Sequence, residues 1–384
     1  MNPRSGRPLV ALADGPGGAG SDPDTIAGRL GLDQPDVLLG WTVQDLPWLD
    51  GLPAGRGWSV SAGYGLDKAV ASGVLRYLPV PLSAMPRLLA GPFRPDVAVV
   101  AGRPVGGGGF VFGPSVGWAH AAARRAGQVV VEVQSDSPPY DAPPIPGQVV
   151  EIIEVAARPA PAGGRPPSAV EVAIGAKAAR LVPSRATIQY GVGAVCEAVV
   201  GALDVPVQVR SGLVTDAIVD LDRRGLLAGR AAAAYAWGGD GLAELSAGGK
   251  LRLVPVEESH HVGRLAATGR FVAINTALQV GLDGAVNVEV VGGRRRAAIG
   301  GHPDFCAAAV RSEGGLSIVA LPATRRGAST IVPAVEVVST PRTDVDVVVT
   351  EHGVADLRGL DEAARRRCLI EVAAPEHRDA LAAS

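Results

Sequence analysis

Asp96-Val-Ala-Val-Val-Ala101 and Gln128-Val-Val-Val-Glu-Val133 decide the fold. Each is a short run of β-branched and small apolar residues with almost no polar alternation. That pattern belongs to a strand buried on both faces of a parallel sheet. The residues between them supply the crossover that such a pair requires. Ser115 to Gly127 carries Ala119, Ala122 and Ala123 and ends on a glycine, which reads as a helix with its stop signal. Strand, helix and strand in that order make a βαβ unit and predict a doubly wound α/β domain. Asp36-Val-Leu-Leu-Gly40 reads as a further strand of the same kind.

Bulk composition narrows the class. At 384 residues the chain exceeds one ordinary core, so two domains are expected. With 47% apolar and 19% charged residues it is globular, and a net charge of −2 gives no reason to expect a nucleic-acid or membrane-surface partner. Lys68, Lys177 and Lys250 are the only lysines, so arginine abundance reflects composition more than anion sites. Cys196, Cys306 and Cys368 are widely spaced without a CxxC, which fits a reduced, cytoplasmic compartment. The start shows no signal peptide, and no run approaches the roughly 18 apolar residues of a membrane span.

Ala156 to Ser168 (AARPAPAGGRPPS) is the clearest compositional break and reads as an exposed connector. A helix over Ala169 to Leu181 follows. The expected division is therefore residues 1–181 and 182–384. The second half opens with Ala186-Thr-Ile-Gln-Tyr-Gly-Val-Gly193, a strand entering a Gly-x-Gly turn and then a helix, Ala194 to Leu203. Amides at such a helix start favour negative charge. Strand-like runs recur at Arg270–Asn275, Leu316–Leu321 and Asp344–Thr350. The tail, Asp361 to Ala383, has helical spacing and should pack on the sheet.

Several stretches carry chemistry-bearing residues. In Ala298-Ile-Gly-Gly-His-Pro-Asp-Phe305, the paired glycines let backbone N–H groups approach a ligand oxygen with no Cβ in the way. A plain tight turn is the competing reading. Ser61-Ala-Gly-Tyr-Gly65 is half of a dinucleotide fingerprint, lacking the third glycine spacing and a placed acid. Asp216 and Asp220 lie four apart on a helix expected from Thr215, and read first as helix-end and exposed acids. Cys306 and His302 form a candidate nucleophile pair, against which stands the habit of lone cysteines to be buried filler. Glu257-Glu-Ser-His-His261 superficially resembles a metal cluster but reads as a solvated loop. Ser211 has no nucleophile elbow around it. The five tryptophans, Trp41, Trp48, Trp58, Trp118 and Trp237, show no stacking rhythm.

A set of gapped motifs in fixed order ties these pieces together. They are Leu181-Val-Pro-Ser-Arg-Ala-Thr-Ile-Gln-Tyr-Gly-Val-Gly193, Ile274-Asn-Thr-Ala-Leu278 with Leu282-Asp-Gly284, and Gly300-Gly-His-Pro-Asp-Phe305. Gly314-Gly-Leu-Ser-Ile-Val-Ala-Leu321, Ile331-Val-Pro333, Thr340-Pro-Arg342 and Thr350-Glu-His-Gly-Val-Ala-Asp-Leu-Arg-Gly359 follow. Ser59–Gly73, Pro95–Ala98 and Val131–Val133 match more loosely. In these motifs the chain resembles the acetyl-CoA hydrolase/transferase family, which includes 4-hydroxybutyrate and acetate CoA-transferases.

The resemblance implies two open α/β domains of the CoA-transferase type with acyl-CoA in an interdomain cleft. It implies coenzyme A or an acyl-CoA as substrate, a small carboxylate as the second substrate, no bound cofactor and no metal. In the family a glutamate attacks the thioester and passes through a mixed anhydride to an enzyme-bound glutamyl-CoA. Such a weak nucleophile needs proximity and an oxyanion site, one donor of which is worth roughly 3–4 kcal/mol. By this likeness Gly300 and Gly301, with Val192 and Gly193 opposite, supply the oxyanion donors. Substrate contacts fall on Gln189, Gly191, Asp304, Phe305, Gly314, Gly315, Arg325, Arg326 and Glu351.

Three positions depart from the family pattern. The segment after the nucleophile reads Leu213-Val-Thr-Asp-Ala-Ile-Val-Asp-Leu221, which sets Gly212 at the place of the glutamate. The usual lysine after Gly-Gly is Leu316, and the arginine before Ile-Val-Pro is Thr330, with Arg325 and Arg326 near enough in sequence to compensate. Glycine cannot attack a carbonyl, so the covalent route looks closed. Glu351, beside His352 at a strand end, is a candidate base for water, its bland alternative being a structural hydrogen-bond acceptor. The expectation is thus an acyl-CoA-binding protein that transfers CoA or hydrolyses the thioester. A non-catalytic acyl-CoA sensor or partner subunit stands as the alternative, and a homo-oligomer or second subunit completing the site stays open. A dinucleotide oxidoreductase ranks last.

Overall fold

The computed structural model describes residues 6–134, 136–156 and 164–384. The chain forms two compact units, Met1–Ala162 with Ala232–Ser259, and Gly163–Ala231 with His260–Ser384. This is not a single cut near Val182. The helix expected to bridge the halves belongs to the second unit, and a stretch inside the second half returns to the first. Of the Pro/Gly-rich connector, residues 157–163 lie outside the described residues.

In the first unit β1 (Leu9–Leu12), β2 (Asp36–Leu39), β3 (Gly57–Ser59), β4 (Leu75–Tyr77), β5 (Val97–Val105), β6 (Gly109–Phe112), β7 (Gln128–Val133) and β8 (Val149–Glu154) form one sheet. Its order is β4-β3-β2-β1-β5-β7-β8, with β6 antiparallel on β5 and the other pairs parallel. Val97–Val100 and Val129–Val131 are buried, as continuous apolar runs in a two-faced parallel sheet must be. β5 runs past Ala101 because β6 folds back on it, and its end leaves the core. The crossover helix α1 (Ala119–Arg125) starts later than its sequence span, since Gly117 takes a left-handed φ of 44° just before it. β11 (Ala231–Ala236) and β12 (Leu251–Leu253) lie almost wholly in the stretch that returns to this unit.

The second unit holds β9 (Thr187–Tyr190), β10 (Gln208–Val214), β13 (Phe271–Asn275), β14 (Leu316–Ala320), β15 (Val347–Thr350) and β16 (Gly353–Asp356). They run β10-β9-β13-β14-β15-β16, parallel except for β16. β9 is followed in sequence by a neighbour on one side and later by β13 on the other, so the order reverses at β9. Open α/β sheets bind ligands beyond the carboxyl ends of their strands at such a reversal. Leu369, Val372 and Leu381 from the tail bury against Val348, Ala355 and Leu357, so the tail does pack on the sheet.

Helix α2 (Ala169–Ala179) begins with a capping box in which Ser168 and Glu171 satisfy each other's backbone amides. It rests on α3 (Ala194–Gly201) through Gly175, where a Cβ would stand 2.6 Å from the carbonyl of Ala198. α3 carries the Gly-x-Gly turn at its start, so this contact fixes the turn. Gly175→Val should therefore lower unfolding stability by about 1–3 kcal/mol through overpacking. Gly201→Ala, which meets nothing within 4 Å, should not. Urea denaturation of the two variants separates local strain from a general glycine effect; equal losses would contradict this packing.

Candidate functional site

The site is assembled at the carboxyl ends of β9, β10 and β13. β9 ends at Tyr190 and the chain turns through Gly191, Val192 and Gly193 into α3. Gly193 has a φ of 116°, which disfavours a side chain there. β10 pairs in parallel with β9, Gln208 against Thr187 and Val209 against Ile188, and Ser211 Oγ donates to the Tyr190 carbonyl at 3.2 Å. Carried on, that register brings Gly212 level with Gly191. Thr215 N donates to the Tyr190 hydroxyl at 2.9 Å, tying the ends of both strands together.

β13 contributes Asn275, whose carboxamide exchanges hydrogen bonds with that of Gln189 at 3.0 and 3.1 Å. Both side chains are buried, and the reciprocal pair uses the capacity of each to donate and accept. Gly191 lies directly over this pair, with a Cβ position 3.1 Å from Asn275 Oδ1. Gln189 is therefore a support beneath the turn.

Helix α4 (Ala217–Arg223) follows β10, and α5 (His302–Arg311) follows the Gly-Gly loop. Gly300 is left-handed, with φ of 56°, and Gly301 is the residue that caps α5. Pro303 lies in the first turn, where a missing N–H costs nothing, and Asp304 puts an acid there. Among the described residues the amides of Gly300 and Gly301 have no hydrogen-bond acceptor. Backbone donors at a helix start are suited to an oxyanion.

Gly212 and Gly301 face the same two rings. A Cβ at Gly212 would stand 3.0 Å from His260 Nε2 and 3.2 Å from Phe305 Cε2. At Gly301 it would stand 2.5 Å from His260 Cδ2 and 2.8 Å from Phe305 Cε2. His260 and Phe305 are buried, their ring centroids 4.8 Å apart. The two glycines are half-buried, so their backbone reaches solvent above a ring floor. The structure thus brings Gly212, Gly301 and Phe305 together around His260, with Gly300 preceding Gly301 in the loop, while a Cβ at Gly191 would meet Asn275 and Cys196.

A second layer links the two glycine turns. Asn275 Nδ2 lies 3.8 Å from Cys306 Sγ, Cys306 Sγ lies 3.5 Å from His302 Nδ1, and His302 Nδ1 lies 2.7 Å from Thr340 Oγ1. The Cys–His pair exists geometrically, but its electrostatics are those of neutral filler. Burial pushes the Cys306 thiol up to about 12 and the His302 imidazole down to about 4, the latter against the Thr276 backbone. Neither group can charge the other, and a thiol is no nucleophile.

Other sequence candidates lie elsewhere. Gly314 and Gly315 precede β14 and so sit at the amino end of the sheet, opposite the turns. A Cβ on Gly315 would run into the Ala309 carbonyl, which explains that glycine by packing. Leu316 starts the same strand and is buried, and Thr330 is buried with its hydroxyl donating to the Pro322 carbonyl at 2.6 Å. Arg325 and Arg326 occupy an exposed hairpin beyond the carboxyl end of β14, on the same edge as the turns. Glu351 Oε2 accepts from the Ala323 amide at 2.8 Å, its structural role. Asp220 is exposed beside Arg223, and Asp216 stands at the start of α4. Trp41 and Trp237 pack with Tyr64 and Tyr235 in the first unit.

Sequence reasoning missed His260. The Glu257–His261 stretch is not a solvated loop throughout: His261 caps a helix by accepting from the Arg264 amide, while His260 is buried against the two glycines. The available signal was only that adjacent histidines point apart. Among the described residues no group of three or more His, Cys, Asp or Glu could hold a metal. None of their helices is long and apolar enough to cross a membrane.

Two parallel α/β sheets, with glycine turns and open amides at the strand reversal of the second, define a doubly wound protein suited to hold a carbonyl or anionic oxygen. Comparisons with known proteins are specific. Residues 39–156 match the acetyl-CoA hydrolase/transferase N-terminal domain, and residues 243–384 match the C-terminal domain. The chain is 30% identical over 339 residues to the 4-hydroxybutyrate coenzyme A transferase of Clostridium kluyveri, covering 82% of this chain and 78% of that one. It is 29% identical to the butyryl-CoA:acetate CoA-transferase of Anaerostipes caccae, covering 82% and 77%. RipA from Yersinia pestis superposes with a TM-score of 0.86 at 27% identity, over 99% of this chain and 93% of that one. The 4-hydroxybutyrate CoA-transferase from Porphyromonas gingivalis does so with 0.76 at 26%, over 100% and 94%. The chain belongs to the acetyl-CoA hydrolase/transferase family, whose members include CoA-transferases and acetyl-CoA hydrolases.

Two outcomes follow from the buried groups. Iodoacetamide on the native protein should label half-buried Cys368 and spare Cys196 and Cys306; mass mapping that finds rapid labelling at Cys306 would contradict the neutral pair. Burial also holds His260 down at about 3 and His302 at about 4, below the ordinary 6.5. The unfolded chain then binds more protons, so their contribution is complete above about 6.5 and is lost as pH falls toward the folded values. Melting temperature should drop between pH 6.5 and 4, and His260→Gln should flatten part of that drop. An unchanged slope would contradict the assigned burial.

Proposed function

We propose that this protein binds an acyl-CoA on its second unit, holds the thioester oxygen on the amides of Gly300 and Gly301, and resolves the thioester with water instead of through a glutamyl-CoA. The observation that carries this reading is the Gly300-Gly301 pair: amides without acceptors, at a helix start, beside Gly212. The donors remain while the position aligned with the attacking glutamate has no side chain. An oxyanion site with bound substrate retains part of the catalysis after a nucleophile is lost. Val192 and Gly193 lie on the neighbouring turn as further donors. Arg325 and Arg326 supply exposed cations for the phosphates of CoA.

A second reading, a non-catalytic acyl-CoA sensor, is favoured by one observation: the space below Gly212 is filled by buried His260 and Phe305. Incubation with short acyl-CoAs, with and without acetate or succinate, distinguishes the two. The expected result is release of free thiol that does not depend on the acceptor acid, without CoA exchange. Calorimetric binding with no thiol release moves the assignment to the sensor. No binding across the panel contradicts both.

The arginine hairpin gives a separate expectation. Arg325→Ala with Arg326→Ala should weaken acetyl-CoA binding about five- to tenfold, on the order of 1 kcal/mol. Binding of an acetyl-pantetheine thioester, which lacks the adenosine phosphates, should be unchanged. Equal loss for both ligands would place the phosphates elsewhere.

A further inference from the structure

The contact between Gly212 and His260 has chemical consequences, which rest on the acyl-CoA reading above. We infer that His260 has taken the space of the family's attacking carboxylate, so that positions 212 and 260 form one exchangeable unit that decides whether this pocket can carry a covalent acyl carrier. The argument is first steric. Any side chain at 212 starts with its Cβ 3.0 Å from His260 Nε2 and 3.1 Å from Cε1. Gly301 stands at the same Nε2 end of the ring, where a Cβ would come within 2.6 Å of Nε2 and 2.5 Å of Cδ2, and the Phe305 ring packs 4.8 Å away, centroid to centroid. His260 is 1% exposed, so it cannot swing into solvent without leaving a hole under both glycines.

The exchange is also electrostatic. Burial keeps the imidazole uncharged at neutral pH, so the group that faces position 212 is neutral. A neutral ring beside the Gly301 amide neither repels a developing oxyanion nor forms an anhydride with an acyl group. The chemistry left to the pocket is binding and attack by water. It follows that introducing a carboxylate at 212 alone meets an occupied space, and that clearing position 260 at the same time restores it.

In the doubly changed protein the introduced carboxylate oxygen attacks the thioester carbonyl carbon, and the C–S bond breaks to release CoA thiolate. That thiolate attacks the side-chain carbonyl of the resulting mixed anhydride, expelling the acyl group as its carboxylate. CoA is left bound to residue 212 as a thioester, and no oxidant or further reactant is required.

The test compares wild type, Gly212→Glu, His260→Ala and the double variant, each incubated with acetyl-CoA and followed by intact-mass spectrometry with peptide mapping. The expected result is a CoA adduct at position 212 in the double variant, at least tenfold above that in Gly212→Glu. Comparable adduct in Gly212→Glu alone overturns the inference, as does a double variant that binds acetyl-CoA by calorimetry and stays unmodified. A melting cycle with Gly212→Ala keeps the steric half testable if the double variant folds poorly. Gly212→Ala should lower the melting temperature with His260 present and lower it less in His260→Ala; additive losses overturn the coupling. Wild type that fails to bind acetyl-CoA overturns the proposed function instead, and the melting cycle then judges positions 212 and 260 by themselves.

Discussion

An imidazole ring held between two residues without side chains is the constraint on which the second unit's site depends. His260 needs Gly212 on β10 and Gly301 at the start of α5 to be glycines, because either Cβ would press on its ring. In return the buried ring sets how closely the Gly-Gly loop approaches the sheet. The Gly300-Gly301 loop, whose amides have no acceptor among the described residues, is thereby held against the end of β10. The Gln189–Asn275 pair holds the floor under the Gly191–Gly193 turn, and the Asn275–Cys306–His302–Thr340 series connects it to α5.

Apart from Asp304 in the first turn of α5, the side chains of this arrangement are neutral. The histidines are kept neutral by burial, the cysteine stays a thiol, and the polar work falls to backbone amides and carboxamides. Fixed backbone dipoles need no counter-ion and no reorganisation, which is what stabilising a transient oxyanion requires. Arg325 and Arg326 stand apart, exposed on their hairpin, where salt screens their charge from the buried neutral layer.

Much of the sheet was legible because its strands are buried on both faces. Val97–Val100 and Val129–Val131 could satisfy their apolar runs in no other common way, and the β7 limits coincide with the run in the sequence. The Gly-Gly pair was legible as a turn, but the helix start at His302 directly after it was not. The division into units was not, since the return of Ala232–Ser259 to the first unit is a tertiary contact with no local mark. His260 was illegible for a related reason. Its neighbours Glu257, Glu258 and His261 are polar, and its burial is dictated by glycines remote in the chain. Gly314 and Gly315 failed in the opposite direction: a motif suggested a ligand turn, while the Ala309 carbonyl beside Gly315 makes it a packing glycine at the other end of the sheet.

The central claim is that the Gly300 and Gly301 amides receive a thioester oxygen. Amide-resolved NMR during titration with a ketone analogue of acetyl-CoA, which keeps the carbonyl but cannot be cleaved, tests it most directly. The account predicts that the Gly300 and Gly301 resonances move downfield and saturate together with binding, with smaller shifts at Val192 and Gly193. Saturated binding that leaves Gly300 and Gly301 unmoved would contradict it.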